Sequence, residues 1–291
     1  MSKAVKNRSL IYGVMILVLA IMVMRSLLES LNDNAQEQSV NNPPIGTQKF
    51  WIDKDKDSVV VYHHNRLWQN NYGNAYQSNL IVRHKDVSQA IASHKMMNPE
   101  ASTNFWGALY AQMVQESSPK LDLILDAFYQ IYQQQPMSAE LFAEMIVSCI
   151  QNIPYALILP KNCDQTQHNE EWILELFSDC PDCCLGDQPF GLQTPLGFMK
   201  NLKGDCDTRT VFLFSVLSAF NYDVAILNSD VYRHSILGLN LPQTGQYKLF
   251  YGKKYLVWET TAPHHVLGTL PPQISNMNFW NVVLTNDPIM N

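Results

Sequence analysis

A cysteine at a loop-to-helix junction, followed in the chain by a histidine and a carboxylate on successive strands, can carry out nucleophilic acyl chemistry. Cys206, His234 and Glu259 stand in that order in this 291-residue chain. Cys206 lies in Lys203-Gly-Asp-Cys-Asp-Thr-Arg209, just before the run VFLFSVLSAFNY from Val211 to Tyr222. That run is apolar on every side and of helical length, so it predicts a helix buried all round, with Asp205 as its N-cap. Cys206 then falls in the first turn, where unpaired backbone N–H groups and the helix dipole favour thiolate over thiol; the reference pKa of about 8.5 can fall by several units there. A thiolate needs a proton acceptor, and an acceptor imidazole needs a group that fixes its tautomer. His234 and Glu259 fill those two roles.

The elements that must position the three residues are also legible. After the helix come Val224 to Asn228, His234 to Leu239, Tyr247 to Tyr251, a turn at Gly252-Lys-Lys, and Tyr255 to Thr261. These segments predict successive antiparallel strands with a hairpin between the last two. His234 at the head of one strand and Glu259 near the end of a neighbour would lie side by side, with the cysteine-bearing helix packed across them. The expected fold class is α+β.

Several local pieces resemble the transglutaminase-like superfamily, which shares its fold with the papain-like cysteine peptidases. Gly204-Asp-Cys-Asp resembles its nucleophile motif, Phe220-Asn-Tyr-Asp-Val224 its helix exit, and Trp258-Glu-Thr-Thr261 its acid-plus-threonine motif. Ile150-Gln-Asn-Ile-Pro-Tyr155 is similar to the segment before the catalytic helix in bacterial members, and the likeness spans about Trp106 to Thr261. The resemblance implies a papain/transglutaminase-like core, with Cys206 as nucleophile, His234 as general base and Glu259 as orienting carboxylate. Many relatives have Asp at the third position where this chain has Glu. The implied reaction is attack on a protein or peptide amide, collapse to a thioester, and release to water (peptidase or amidase) or to an amine (transglutaminase). No cofactor is called for. The alternative is a transglutaminase-like module that has lost activity and binds an envelope partner through the same groove.

Other residues compete for roles. Asp205 and Asp207 flank the cysteine, and a carboxylate beside a thiolate raises its pKa by like-charge repulsion, so capping is expected of both. The backbone N–H of Cys206 is the expected first oxyanion donor, with a second from Gln151, Tyr155 or Gln193. His264 and His265 fall in a loop after Pro263, and His63-His64 is far from the motif in sequence. Asp53-Lys-Asp-Lys-Asp57 alternates acids but lacks the rest of a calcium-loop pattern.

Of six cysteines, Cys149 sits in an apolar helical context, and Cys163, Cys180, Cys183 and Cys184 cluster in a polar insertion before the motif. Two disulfides in an oxidising compartment are expected there, with zinc held through Cys180-Pro-Asp-Cys183 and Cys163 as the alternative. No metal site is assigned. The insertion is placed to act as a lid.

With 46% hydrophobic residues and a net charge of −6, the chain can form one sizeable domain and an appended region, and it lacks the basic stripe of a nucleic-acid binder. Residues 1–8 carry Lys3, Lys6 and Arg8, and residues 9–28 are apolar apart from Arg25, which a spanning helix could snorkel. A cleavable signal peptide is the competing reading, but no small-x-small site follows in Arg25 to Asn32. A transmembrane signal anchor is therefore expected over 9–28. It would leave residues 1–8 in the cytoplasm and the body outside, in the periplasm, as a single-pass membrane protein. Residues 29–48, with Asn42-Pro-Pro-Ile-Gly46, are expected to form a flexible tether, 49–98 a small β-rich lead-in, and 99–291 the transglutaminase-like domain. Within the last, helices are expected near Ala101–Gln115, Lys120–Gln134 and Ser138–Gln151.

Overall fold

The computed structural model describes residues 48–54, 57–99, 103–164, 166 and 168–286. The chain opens with three antiparallel strands, β1 (Gln48–Lys54), β2 (Asp57–Gln69) and β3 (Ala75–Arg83), which form a sheet in that order. Asn70 makes the turn between β2 and β3: its side-chain oxygen accepts from the backbone N–H groups of Tyr72 and Asn74 at 3.0 and 2.9 Å. Three helices follow, α1 (His84–Met96), α2 (Phe105–Ser117) and α3 (Asp122–Gln134), and then α4 (Ala139–Gln151). Short strands β4 (Leu157–Ile158) and β5 (Cys184–Leu185) pair in parallel, with α5 (Glu171–Asp179) between them. After α6 (Pro195–Asn201) comes α7 (Cys206–Ala219).

The main sheet is built from β6 (Val224–Ser229), β7 (His234–Leu239), β8 (Tyr247–Phe250), β9 (Lys253–Trp258) and β10 (Asn281–Thr285), in the order β10-β6-β7-β9-β8 with every pair antiparallel. Its central strands β6, β7 and β9 are buried on both faces, while β8 and β10 are partly exposed. Val224, Ile226, Leu237, Leu239 and Trp258 join the large core with α7, whereas Ala225, Leu227, Ile236, Tyr255 and Val257 pack under Leu270 and Trp280. Two-sided burial explains why β6 reads as a continuous apolar run instead of an alternating one. Helix α7 lies across β6 and β7, and its Val211, Phe212, Leu213, Phe214, Val216 and Leu217 are all buried. Close approach across the sheet requires Gly238, where an added Cβ would stand 2.6 Å from Leu227 Cδ1.

The expected fold class included a membrane-spanning helix, and in that part it is corrected. Among the described residues no helix is long and apolar enough to cross a membrane. The longest has 14 residues, a rise of about 21 Å at 1.5 Å per residue against a hydrocarbon core of about 30 Å. The anchor expected over 9–28, the N-terminus over 1–8 and the tether up to residue 47 lie outside the described residues. The region 49–98 holds β1 to β3 and α1, and Tyr62, Trp68, Tyr76, Leu80 and Val82 belong to the same core as the helices and the main sheet.

Arg209 joins these parts at one point. Its side chain is fully buried and has no carboxylate in its hydrogen-bond shell. Nε donates to Gly204 O at 2.9 Å, Nη1 to Ile150 O and Thr260 O at 3.0 and 3.3 Å, and Nη2 to Ile153 O and Pro154 O at 2.7 Å each. All the N–H groups of the guanidinium fork are thereby spent on carbonyls at the end of α4, the loop before α7 and the end of β9. Replacing it with an apolar residue orphans those carbonyls, each at a cost of about 1–3 kcal/mol. Arg209→Met is expected to lower unfolding free energy by at least about 3 kcal/mol in urea denaturation. Arg209→Lys should fail to restore it, because one ammonium cannot span the five acceptors; full recovery by Lys would show that charge alone matters there.

Candidate active site

Helix α7 begins where the sequence places it. The Asp205 side chain accepts from Thr208 N at 3.1 Å, the N-cap bond, and Cys206 is the first helical residue. The loop before it is tightly packed: a Cβ at Gly204 would meet the Phe198 ring at 2.9 Å. Gly204 also bridges in parallel to Tyr155, so the segment leaving α4 runs beside the nucleophile loop.

His234 starts β7, and Glu259 is the first residue after β9. His234 Nε2 and Glu259 Oε2 lie 2.7 Å apart. The other carboxylate oxygen, Oε1, accepts from Thr260 N at 2.8 Å, Thr261 N at 2.9 Å and Thr261 Oγ1 at 2.7 Å. The Trp-Glu-Thr-Thr segment thus supplies both the acid and three donors that hold it. The carboxylate is 2% exposed. Burial would raise its pKa, but the bond to His234, the imidazole's charge and the Thr261 donors overcome burial and bring it down to about 2. Burial also works against protonation of His234, yet the bond and charge of Glu259, with Asp207 and Asp205 behind it, leave its pKa raised. With Nε2 committed to Glu259, Nδ1 is the nitrogen left for proton transfer. The buried ring of Trp280 stands edge-on to the imidazole, 6.0 Å between centroids.

Cys206 is 6% exposed and does not hydrogen-bond to His234. Its Sγ is directed at Asp207 Oδ2, 3.7 Å away, while the backbone of Ser235, the residue after His234, approaches the sulfur from β7. The expectation of a lowered thiol pKa is therefore corrected. Burial, then the charges of Asp207 and Asp205, push the thiol well above its ordinary range, and the Ser235 backbone and the helix terminus do not offset them. The capping expected of both acids holds for Asp205 alone. Asp207 Oδ1 instead accepts from Tyr110 Oη at 2.5 Å and from Ser235 Oγ.

The three oxyanion candidates separate. Gln151 Nε2 is spent on the carbonyls of Glu259 and His265, at 2.7 and 2.9 Å, and its buried Oε1 has no protein partner. Gln193 Nε2 donates to Lys203 O and its Oε1 accepts from Asn201 at 2.9 Å, so it braces the loop before Cys206. Both N–H groups of Gln151 are spent, and that assignment is corrected; Gln193 spends one of its two on Lys203 O. Tyr155 remains, because its phenol lies within electrostatic reach of Cys206, Asp205 and Asp207. Its ring covers the Arg209 guanidinium, with Cζ 5.9 Å from the centroid.

The insertion before the motif is tied by Cys163–Cys184 and Cys180–Cys183, with Cα separations of 6.1 and 5.2 Å. It reaches both halves of the site: Lys203 Nζ donates to Asp182 O at 2.5 Å, and Glu170 faces Arg233 at 4.0 Å. Cys149 is buried, its thiol pushed up to about 12 by burial. His264 is exposed, and the carbonyl of His265 accepts from Gln151, Asn71 and Trp258. His64 is buried, with its Nε2 at 3.2 Å from Lys200 O. Asp53 and Asp57 fall in the β1–β2 hairpin. Among the described residues no three His, Cys, Asp or Glu side chains converge to hold a metal ion. The chain matches no known protein family, no curated protein and no solved structure.

Two acids give opposite signatures in stability against pH. Glu259 is depressed from 4.5 to about 2, so its contribution is present above the unfolded value and is lost as pH falls from about 4.5 through about 2. Asp205 is raised from 3.8 to about 7 by burial and by Asp207. The folded state then binds the extra proton, and stability is lost as pH rises from about 4 through about 7. Asp205→Asn keeps an N-cap and removes that titration. Urea midpoints taken across pH 4 to 8 are expected to fall less steeply in the variant than in the parent, and parallel curves would rule the assignment out.

Proposed function

We propose that the protein is a thiol-dependent acyl-transfer enzyme of transglutaminase-like type, a cysteine peptidase or amidase or a transglutaminase, acting on protein or peptide amides. The observation that carries this reading is the His234–Glu259 pair at 2.7 Å, whose carboxylate is fixed by the adjacent threonines beside a helix-terminal cysteine. A buried His–carboxylate pair raises the basicity of the imidazole, which suits it to take a proton from a thiol that is itself a weak acid.

In this mechanism the Cys206 proton passes to His234 Nδ1 as sulfur attacks the amide carbonyl. The Cys206 backbone N–H, which has no intrahelical acceptor at the first helical position, and the Tyr155 hydroxyl face the developing oxyanion. Collapse forms the thioester and expels the amine, which leaves with the proton from His234. Water or a second amine then takes the acyl group, with His234 removing its proton. The two disulfides favour an oxidising compartment as the place of work.

One observation favours a second reading, a non-catalytic module that binds a partner: the thiol is turned to Asp207 and not to His234. The two readings part on thiol reactivity. Iodoacetamide alkylation of Cys206 in the full chain, located by mass spectrometry, is expected to slow at least about tenfold at pH 7 in His234→Ala and by a smaller factor in Glu259→Gln. Equal rates in all three proteins would sink the enzyme reading and leave the binding module.

A further inference from the structure

Asp207 is the group closest to the sulfur, and it belongs to no Cys-His-acid triad. Its two oxygens face different ways. Oδ2 meets Cys206 Sγ at 3.7 Å, while Oδ1 accepts from Tyr110 Oη and Ser235 Oγ. Those two groups are linked through Asn228, whose Oδ1 lies 2.7 Å from Ser235 Oγ and competes with Asp207 for the one hydroxyl hydrogen of Ser235, and whose Nδ2 donates to Tyr110 Oη at 3.0 Å. Tyr110 and Ser235 are buried. The network draws on α2, β6 and β7, so the orientation of the carboxylate is set by three elements at once.

We propose that Asp207 is a further residue of the site, a parking group that accepts the hydrogen bond of the resting Cys206 thiol and holds the nucleophile protonated and turned from His234. The inference rests on the reading of Cys206 as nucleophile. Tyr110 Oη and Ser235 Oγ approach Oδ1, so the side chain is held with Oδ2 toward the sulfur, where it accepts the S–H bond. Activation then requires the thiol to turn from Asp207 Oδ2 to His234 Nδ1, where the proton passes to nitrogen; nothing else is gained or lost. The charged or titratable groups whose fields reach the sulfur are Asp205 at the cap of α7, Asp207 and Arg209 on α7, Glu259 after β9 and Tyr155 before β4, while Tyr110 from α2 and His234 from β7 act on Asp207. Asp205 caps the helix, Glu259 binds His234 and Arg209 is spent on carbonyls, whereas Asp207 meets Tyr110 and Ser235 through Oδ1 and turns Oδ2 to the sulfur. Only Asp207 directs a carboxylate oxygen at Sγ.

Asp207→Asn leaves an acceptor for Tyr110 and Ser235 but removes the charge and the acceptor facing sulfur. The rate of iodoacetamide alkylation at Cys206 against pH, in the full chain, is expected to shift its midpoint down by at least about one pH unit, about tenfold faster at pH 7. Asp207→Glu, which retains the charge, should keep most of the slow profile, a difference that loosened packing alone would not produce. Asp207→Ser replaces the Asn variant if that protein does not fold, with the same shift expected. An unchanged midpoint in a folded Asn or Ser variant overturns the proposal. His234→Ala in parallel separates the two claims: loss of reactivity there with no shift at Asp207 keeps the enzyme reading and removes the parking role. A shift at Asp207 with no effect at His234 removes the enzyme reading and the parking role with it, leaving Asp207 as a group that only raises the thiol pKa.

Discussion

The arrangement around Cys206 depends on a buried cation that has no counter-ion in its hydrogen-bond shell. Arg209 is charged at neutral pH although burial lowers its pKa to about 10; its hydrogen bonds all go to backbone carbonyls, with the charges of Asp205 and Glu259 acting from farther off. A lysine could not do this, since the five acceptors are spread around a plane that only a guanidinium matches. The acceptors belong to three segments: the exit from α4 that leads to Tyr155, the loop at Gly204, and Thr260 beside Glu259. The nucleophile loop, the oxyanion candidate and the orienting carboxylate are therefore fixed relative to one another through a single side chain, which sits one helical turn after the cysteine it serves.

Around this fixed point the charges are arranged asymmetrically. Glu259 is satisfied four times over and stays ionised, His234 is made more basic, and Cys206 is made less acidic. Such a site does not hold a ready thiolate–imidazolium pair at rest. On the reading proposed for this site, it holds a neutral thiol and an imidazole of raised pKa, and the proton moves when the sulfur is brought round to the imidazole. Burial of the thiol works in the same direction, because bulk water cannot stabilise the thiolate there.

Much of this was legible in the sequence because it is encoded locally. The helix from Cys206, its Asp205 cap, the strands from Val224 to Trp258 and the pairing of His234 with Glu259 follow from apolar runs, a capping residue and turn chemistry within about fifty residues. What was missed is held by long-range bonds. Tyr110 reaches Asp207 across 97 positions, and Arg209 reaches Ile150 across 59; no periodicity reports such contacts. Arg209 did leave a signal, since a charged residue on a helix read as buried all round has to find acceptors. Gln151 was misread for the opposite reason: an amide near a site in sequence was taken as free, whereas two backbone carbonyls had claimed both its donors. Helix α5 and strand β10 lay in stretches too polar or too short to register as elements.

The insertion has its own small core, formed by Leu157, Ile173, Phe177 and Cys184, separate from the two cores that hold the helices and the sheet. It joins the rest through two-residue strands and a few polar contacts at its rim. Residues 159–188 are in that sense a cartridge. Their length and surface can drift, or be exchanged for those of another chain, without repacking the scaffold that carries Cys206, His234 and Glu259.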